Sequence, residues 1–184
     1  MKTSLLLRIA APILLLLLST SANAGLISCG DSYRQASLNS AESCATYILG
    51  STIKGSDLSG WVKEGELTGN GNNDLFSVSG WGNESDIGTW QIDGSFWDSY
   101  GAALITMHVG GGQKDAVDNF VWVVTPDSFS GTWTYDKLSG KGGGLSNIKL
   151  WGSGTPTVKV PEPSALLLML IGLFFLGFTR RVAK

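Results

Sequence analysis

Short apolar or alternating runs separated by Gly, Asn, Asp and Ser fill the middle of the chain, and no 3.6-residue periodicity persists there. The pattern predicts strands near residues 60–62, 75–81, 87–93, 103–109, 120–125, 131–135 and 145–151. Within 103–109, Ala103, Ile105, Met107 and Val109 share one face, while Leu104, Thr106 and His108 share the other. Phe120-Val121-Trp122-Val123-Val124 is continuously apolar, the mark of a central strand buried on both sides. Residues 32–47, where Ala36, Ser40 and Cys44 recur at four-residue spacing, are read as a short helix or a loop. Gly88-Thr89-Trp90-Gln91-Ile92-Asp93 and Gly131-Thr132-Trp133-Thr134-Tyr135-Asp136 share Gly-Thr-Trp-x-x-Asp. Two copies do not make a repeat protein, so the echo marks equivalent strand units or coincidence. The fold class expected is all-β: a small antiparallel sandwich, jelly-roll-like, over residues 25–157.

The two ends follow another logic. Lys2 and Arg8 precede an apolar run closing at Leu18, and Ala22-Asn23-Ala24 fits a signal peptidase site, so residues 1–24 read as a secretory signal peptide cut after Ala24. Leu26-Ile27-Ser28-Cys29 also fits a lipoprotein processing site, but ten residues separate Cys29 from the apolar run, and lipidation would leave Cys44 without a partner. Near the other end, fourteen apolar residues, 165–178, follow Val160-Pro161-Glu162-Pro163-Ser164 and precede Arg180-Arg181. As a helix they span only about 21 Å against a bilayer core of about 30 Å. Their ten Leu, Ile and Phe nonetheless favour insertion by roughly 3 to 6 kcal/mol. Arg180 and Arg181 reach the interface with long stems and place that side in the cytoplasm. A single membrane helix at about 164–179 is expected, with the ectodomain in the periplasm.

Pro-Glu-Pro, a short Leu- and Gly-rich helix and Arg-Arg, in that order over 158–184, resemble the PEP-CTERM sorting signal of Gram-negative bacteria. The resemblance implies that exosortase, a membrane protease-transpeptidase, recognises Pro161-Glu162-Pro163, removes the helix at the inner membrane and passes the protein to the cell surface. It also implies association with exopolysaccharide, biofilm or floc; the same tail occurs on some ice-binding proteins. In the middle, Ser130-Gly131-Thr132-Trp133, a Gly-rich spacer and Leu145-Ser146-Asn147-Ile148 resemble the last strands of many PEP-CTERM ectodomains, with Asn147 where a His is usual. That similarity implies a sandwich and brings no catalytic residues.

Composition narrows the chemistry. Residues 25–160 hold all seven Trp, and their eight Lys and Arg against fourteen Asp and Glu give a net charge of −6, which excludes a basic nucleic-acid module. One His and two Cys rule out sites needing several such ligands, and no cofactor is expected. Cys29 and Cys44, both on the exported side, are expected to form a disulfide. Asn70, Asn72 and Asp74 offer oxygen ligands of the kind Ca²⁺ takes, yet without EF-hand spacing; a polar turn accounts for them better. Aromatic faces stack on sugar rings, and Trp61, Trp81 and Trp97, nearest to Gly, Asp and Asn, are the candidates for exposure and glycan binding. His108 reads as a surface residue, and an enzyme is the least supported class. Three functions follow in order: a surface or matrix component, a carbohydrate-binding module, and a hydrolase.

Overall fold

In the computed structural model, which describes residues 25–82, 85–111 and 113–156, the alternation resolves into eleven strands in two antiparallel sheets. The expected signal peptide with Ala22 and Ala24 lies outside these residues, as do Val160 to Ser164, the 164–179 helix, Arg180 and Arg181. Among the described residues no helix is long and apolar enough to cross a membrane.

The strands are β1 (Ile27–Gly30), β2 (Arg34–Leu38), β3 (Ala41–Tyr47), β4 (Val62–Leu67), β5 (Gly71–Asn72), β6 (Phe76–Ser79) and β7 (Ser85–Ile92), then β8 (Ala102–Gly110), β9 (Asn119–Val124), β10 (Ser130–Lys137) and β11 (Gly144–Ser153). Sheet A runs β1-β2-β10-β7-β6-β5 and sheet B runs β3-β9-β8-β11-β4. Their inner faces supply the core. Ala36, Leu38, Phe76, Val78, Trp90, Ile92, Trp133 and Tyr135 meet Ala103, Ile105, Met107, Phe120, Trp122 and Leu150. The all-β sandwich expected from alternation is what forms.

Residues 32–47 form neither helix nor loop, but β2 and β3. Two-residue alternation prevails over the four-residue spacing, because Ala36 and Leu38 point into the core and Trp133 and Tyr135 of β10 lie opposite them. Asp31 makes the turn before β2 by accepting from the backbone N–H of Tyr33 and Arg34, both at 2.8 Å. Ser40, at φ 62°, turns the chain from sheet A to sheet B. The strand expected at 60–62 instead runs Val62–Leu67.

Cys29 on edge strand β1 and Cys44 on edge strand β3 are joined by a disulfide, with Cα atoms 6.2 Å apart. The bond clasps the two sheets along one side. On the same side Arg34, buried although charged, donates from its guanidinium to the carbonyls of Val117 (2.9 Å) and Gly111 (2.8 Å). Asp31 accepts from the Val117 N–H at 2.8 Å, so this pair ties the β8–β9 connection to the β1–β2 turn. Burial would raise the Asp31 pKa, but its hydrogen bonds to the backbone of Val117, Tyr33 and Arg34 leave it below the ordinary value.

Between β3 and β4, residues 48–61 form a strap across the outer face of sheet B. Ile53, Leu58 and Trp61 of the strap pack on Leu104, Val121 and Trp151, giving the sandwich a second, smaller apolar layer. This is why β9 is buried on both faces, as its unbroken apolar run predicts.

Candidate functional site

The Gly-Thr-Trp echo is a contact. Its two copies lie side by side in β7 and β10, with Gly131 opposite Trp90, Thr132 opposite Thr89 and Trp133 opposite Gly88. Each indole lies across the glycine of the other strand. A Cβ added to Gly88 would stand 2.7 Å from the Trp133 ring, and one added to Gly131 would stand 2.7 Å from Trp90 Nε1. Trp133 Nε1 donates to the carbonyls of Ser79 and Thr89, at 3.1 and 3.2 Å. Both tryptophans therefore belong to the core, with Trp122 and Trp151.

The three tryptophans expected at the surface fare differently. Trp97 is a correction: it is 7% exposed, and its Nε1 donates to the Ser128 carbonyl at 3.1 Å. The reason is the six-residue helix α1 (Gly94–Ser99), capped by the Asp93 side chain accepting from Ser95 N–H, which turns Phe96 and Trp97 inward. Trp81 is half-buried, edge-on to Trp133 at 6.5 Å, and its backbone is bracketed by Asn70, which accepts from its N–H at 2.7 Å and donates to its carbonyl at 3.3 Å. Trp61, the last residue of the strap, is half-buried where it packs on Leu104, Val121 and Trp151.

Polar side chains on the outer face of sheet B hold the strap by its backbone. Asp118 accepts from the N–H of Leu49 (2.9 Å) and Gly50 (2.6 Å), and Asn119 accepts from Ile53 N–H (3.2 Å) and donates to Ser51 O (2.9 Å). Asn147 accepts from Thr52 Oγ1 at 3.1 Å, and buried Lys149 donates to Ile53 O at 2.9 Å with Glu66 3.6 Å away. Asn147 thus serves the strap. The sequence reading missed this cluster, although Asn147, Lys149 and Trp151 alternate on one face, and a large aromatic there signals that the face is covered.

His108 shares that face and is half-buried, not a surface residue; among the described residues its buried Nδ1 has no hydrogen-bond partner. Burial holds its pKa below the ordinary value of 6.5, against the pull of Asp118. Because protonation then favours the unfolded chain, the contribution is fully present above pH 6.5 and is lost as the pH falls through that value toward the folded pKa. Denaturation from pH 8 to 5 is expected to show falling stability, and His108→Phe should flatten that fall; an unchanged slope would contradict it.

Two grooves flank the segment around Asn73 and Asp74. One groove, about 360 Å³, is bordered by Lys63, Glu64, Glu66, Asn73 and Asp74. Another, about 390 Å³, lies at the rim of sheet A between β5, the β6–β7 pair and Phe129. Asn70 is spent on Trp81, Asn73 accepts from the N–H of Leu75 (3.1 Å) and Phe76 (2.8 Å), and Glu64 accepts from the Tyr100 hydroxyl. Among the described residues no group of three or more His, Cys, Asp or Glu is brought together to hold a metal, and Asn72 lies in the two-residue strand β5. Glu66, hydrogen-bonded to Lys63 at 2.8 Å, has a lowered pKa, which is the opposite of what a general acid needs.

Comparison with known proteins adds the tail. Residues 159–181 match the family model of the PEP-CTERM protein-sorting motif, while no curated protein and no solved structure matches the chain. The matched stretch contains Pro161-Glu162-Pro163 and Arg180-Arg181 and begins a few residues beyond β11, which ends at Ser153. The chain carries a PEP-CTERM protein-sorting motif over residues 159–181, the mark of an exosortase-sorted extracellular protein.

Proposed function

We propose that the chain is a structural or adhesive component of the cell surface or extracellular matrix, associated with exopolysaccharide in a biofilm or floc. The reading rests on the sorting motif together with one surface. Inward Trp90, Ile92, Trp133 and Tyr135 leave their neighbours on the outer face of sheet A, where Thr132 stands opposite Thr89 and Thr89 opposite Ser79. In the next row Thr134 stands opposite Ser37, and Ser37 opposite Ser28. Hydroxyls join across strands at 2.7 Å in the pairs Ser28–Ser37 and Ser79–Thr89. These rows carry no charge in a segment whose net charge is −6.

The exposed hydroxyls of Ser28, Ser79, Thr89 and Thr132, beside buried Ser37 and the exposed Ile87 that stands opposite Thr134, supply donors and acceptors suited to a polymer of hydroxyls on strands that lose little freedom on contact. The disulfide suits an oxidising exterior. Signal peptidase at Ala24 and exosortase at Pro161-Glu162-Pro163 are the processing partners in this scheme.

The test is fractionation of a producing culture into membrane, matrix and medium. Recovery of the processed ectodomain with the matrix polymer is expected. Recovery in the free medium alone would overturn the reading.

A further inference from the structure

The rim groove of sheet A has the makings of a binding site that the hydroxyl face alone does not. We propose that it is a subsite for a neutral hexose polymer, with Phe129 as the stacking platform. The proposal rests on the matrix reading above and names the chemistry of its ligand.

Register brings the polar groups into line. Asn72 on β5 stands opposite Ser77 on β6, Ser77 opposite Gln91 on β7, and Gln91 opposite Ser130 on β10. Strands about 4.8 Å apart make the part of this line that borders the groove, Asn72 to Gln91, roughly 10 Å long, enough for more than one sugar ring. Among the described residues the side chains of Asn72, Ser77 and Gln91 have no hydrogen-bond partner, and all three border the groove. Two amides and a hydroxyl supply both donors and acceptors, as sugar hydroxyls require.

Phe129 closes one end. Its carbonyl accepts from Ile92 N–H at 2.8 Å, which extends the β7–β10 ladder by one step and fixes the backbone. The ring stays 45% exposed beside Gly94, 3.8 Å from where a Cβ there would stand. An apolar ring held by a rigid ladder on a polar rim is what the C–H face of a pyranose can cover.

Charge chooses among polymers. No Lys or Arg borders this groove, while Asp74 and Asp93 do. Asp93 is bound to the start of α1 through Ser95, at 2.9 Å to N–H and 2.6 Å to Oγ. A uronate or sulfated chain would meet carboxylates without a counter-charge, whereas a neutral chain meets no such repulsion. The volume of about 390 Å³ lies within the range of small-ligand sites.

The full chain in a non-glycosidic detergent is titrated calorimetrically with neutral glucan, mannan and galactan tetrasaccharides, and with a uronate tetramer for comparison. Binding of a neutral tetrasaccharide is expected. Phe129→Ala should weaken it about tenfold, and Tyr47→Ala, an exposed aromatic on sheet B, should leave it unchanged. If Phe129→Ala does not fold, the Ser77→Ala/Gln91→Ala double variant, whose side chains are outside the core, is expected to show the loss. Equal affinity in a folded groove variant, no neutral tetrasaccharide bound, or preference for the uronate would each overturn the subsite. A chain that stays with the matrix yet binds no neutral tetrasaccharide refutes the subsite alone; a chain found only in the medium refutes the matrix reading, whatever the groove binds.

Discussion

Trp133→Ala should lower the free energy of unfolding by about 3 to 5 kcal/mol, a large part of the stability of a domain of this size. The indole is fully buried, lies over Gly88 and stands edge-on to Trp81, so truncation opens a cavity on two sides. It also removes the donor to the Ser79 and Thr89 carbonyls. The reciprocal change, Gly88→Ala, should damage the same contact from the other side. Its Cβ would sit 1.8 Å from the Ser79 carbonyl oxygen as well as against the ring, so backbone must move. Trp90→Phe should cost less than Trp133→Phe, because among the described residues Trp90 Nε1 has no hydrogen bond to lose. Urea denaturation of the oxidised chain measures all four. A loss below about 1 kcal/mol for Trp133→Ala would mean that the paired Gly-Thr-Trp strands are not the centre of the core.

Opening the Cys29–Cys44 bond is the second large effect. The bond closes a loop with fourteen residues between its ends, for which loop entropy gives about 3 kcal/mol. The link also joins β1, an edge of sheet A, to β3, an edge of sheet B, where no ladder connects the sheets. Cys29→Ser/Cys44→Ser, or reduction of the native chain, should lower the melting temperature by about 10 °C. The hydrogen bonds of Arg34 to Val117 and Gly111 remain to hold that side, so the sandwich is expected to loosen there without collapsing. Melting curves that coincide with and without reductant would contradict this role.

Alternating and unbroken apolar runs made β6 to β11 legible, because large apolar side chains recur there at strand spacing, whereas β4 was expected short at 60–62 and the two-residue β5 was not read. β1 to β3 were not legible, since Ser, Ala, Glu and Thr dominate them and their partners are distant in sequence; Ala36 and Leu38 reveal themselves only opposite β10. The strap was hidden for a different reason. Its fourteen residues, 48–61, contain little regular structure, and Asp118, Asn119 and Lys149 hold it by backbone groups, which no sequence pattern records. Trp97 was misplaced because it falls between the strands expected at 87–93 and 103–109, where Asp93 caps a helix by accepting from the Ser95 N–H. For the candidate site, the Asn70 to Asp74 turn was visible, whereas Gln91, Ser77 and Phe129 belong to it only through strand register. The sorting motif needed no tertiary information at all, since a membrane enzyme reads it as linear sequence.

The sorting account is tested most directly by the mass of the chain released from cells that contain exosortase, for the wild type and for Glu162→Ala. The wild type should appear outside the membrane as a product beginning at Gly25 and lacking the apolar stretch after Ser164, while Glu162→Ala should remain membrane-bound at the mass that signal peptidase leaves. Equal release of both chains, with the same carboxyl end, would contradict it.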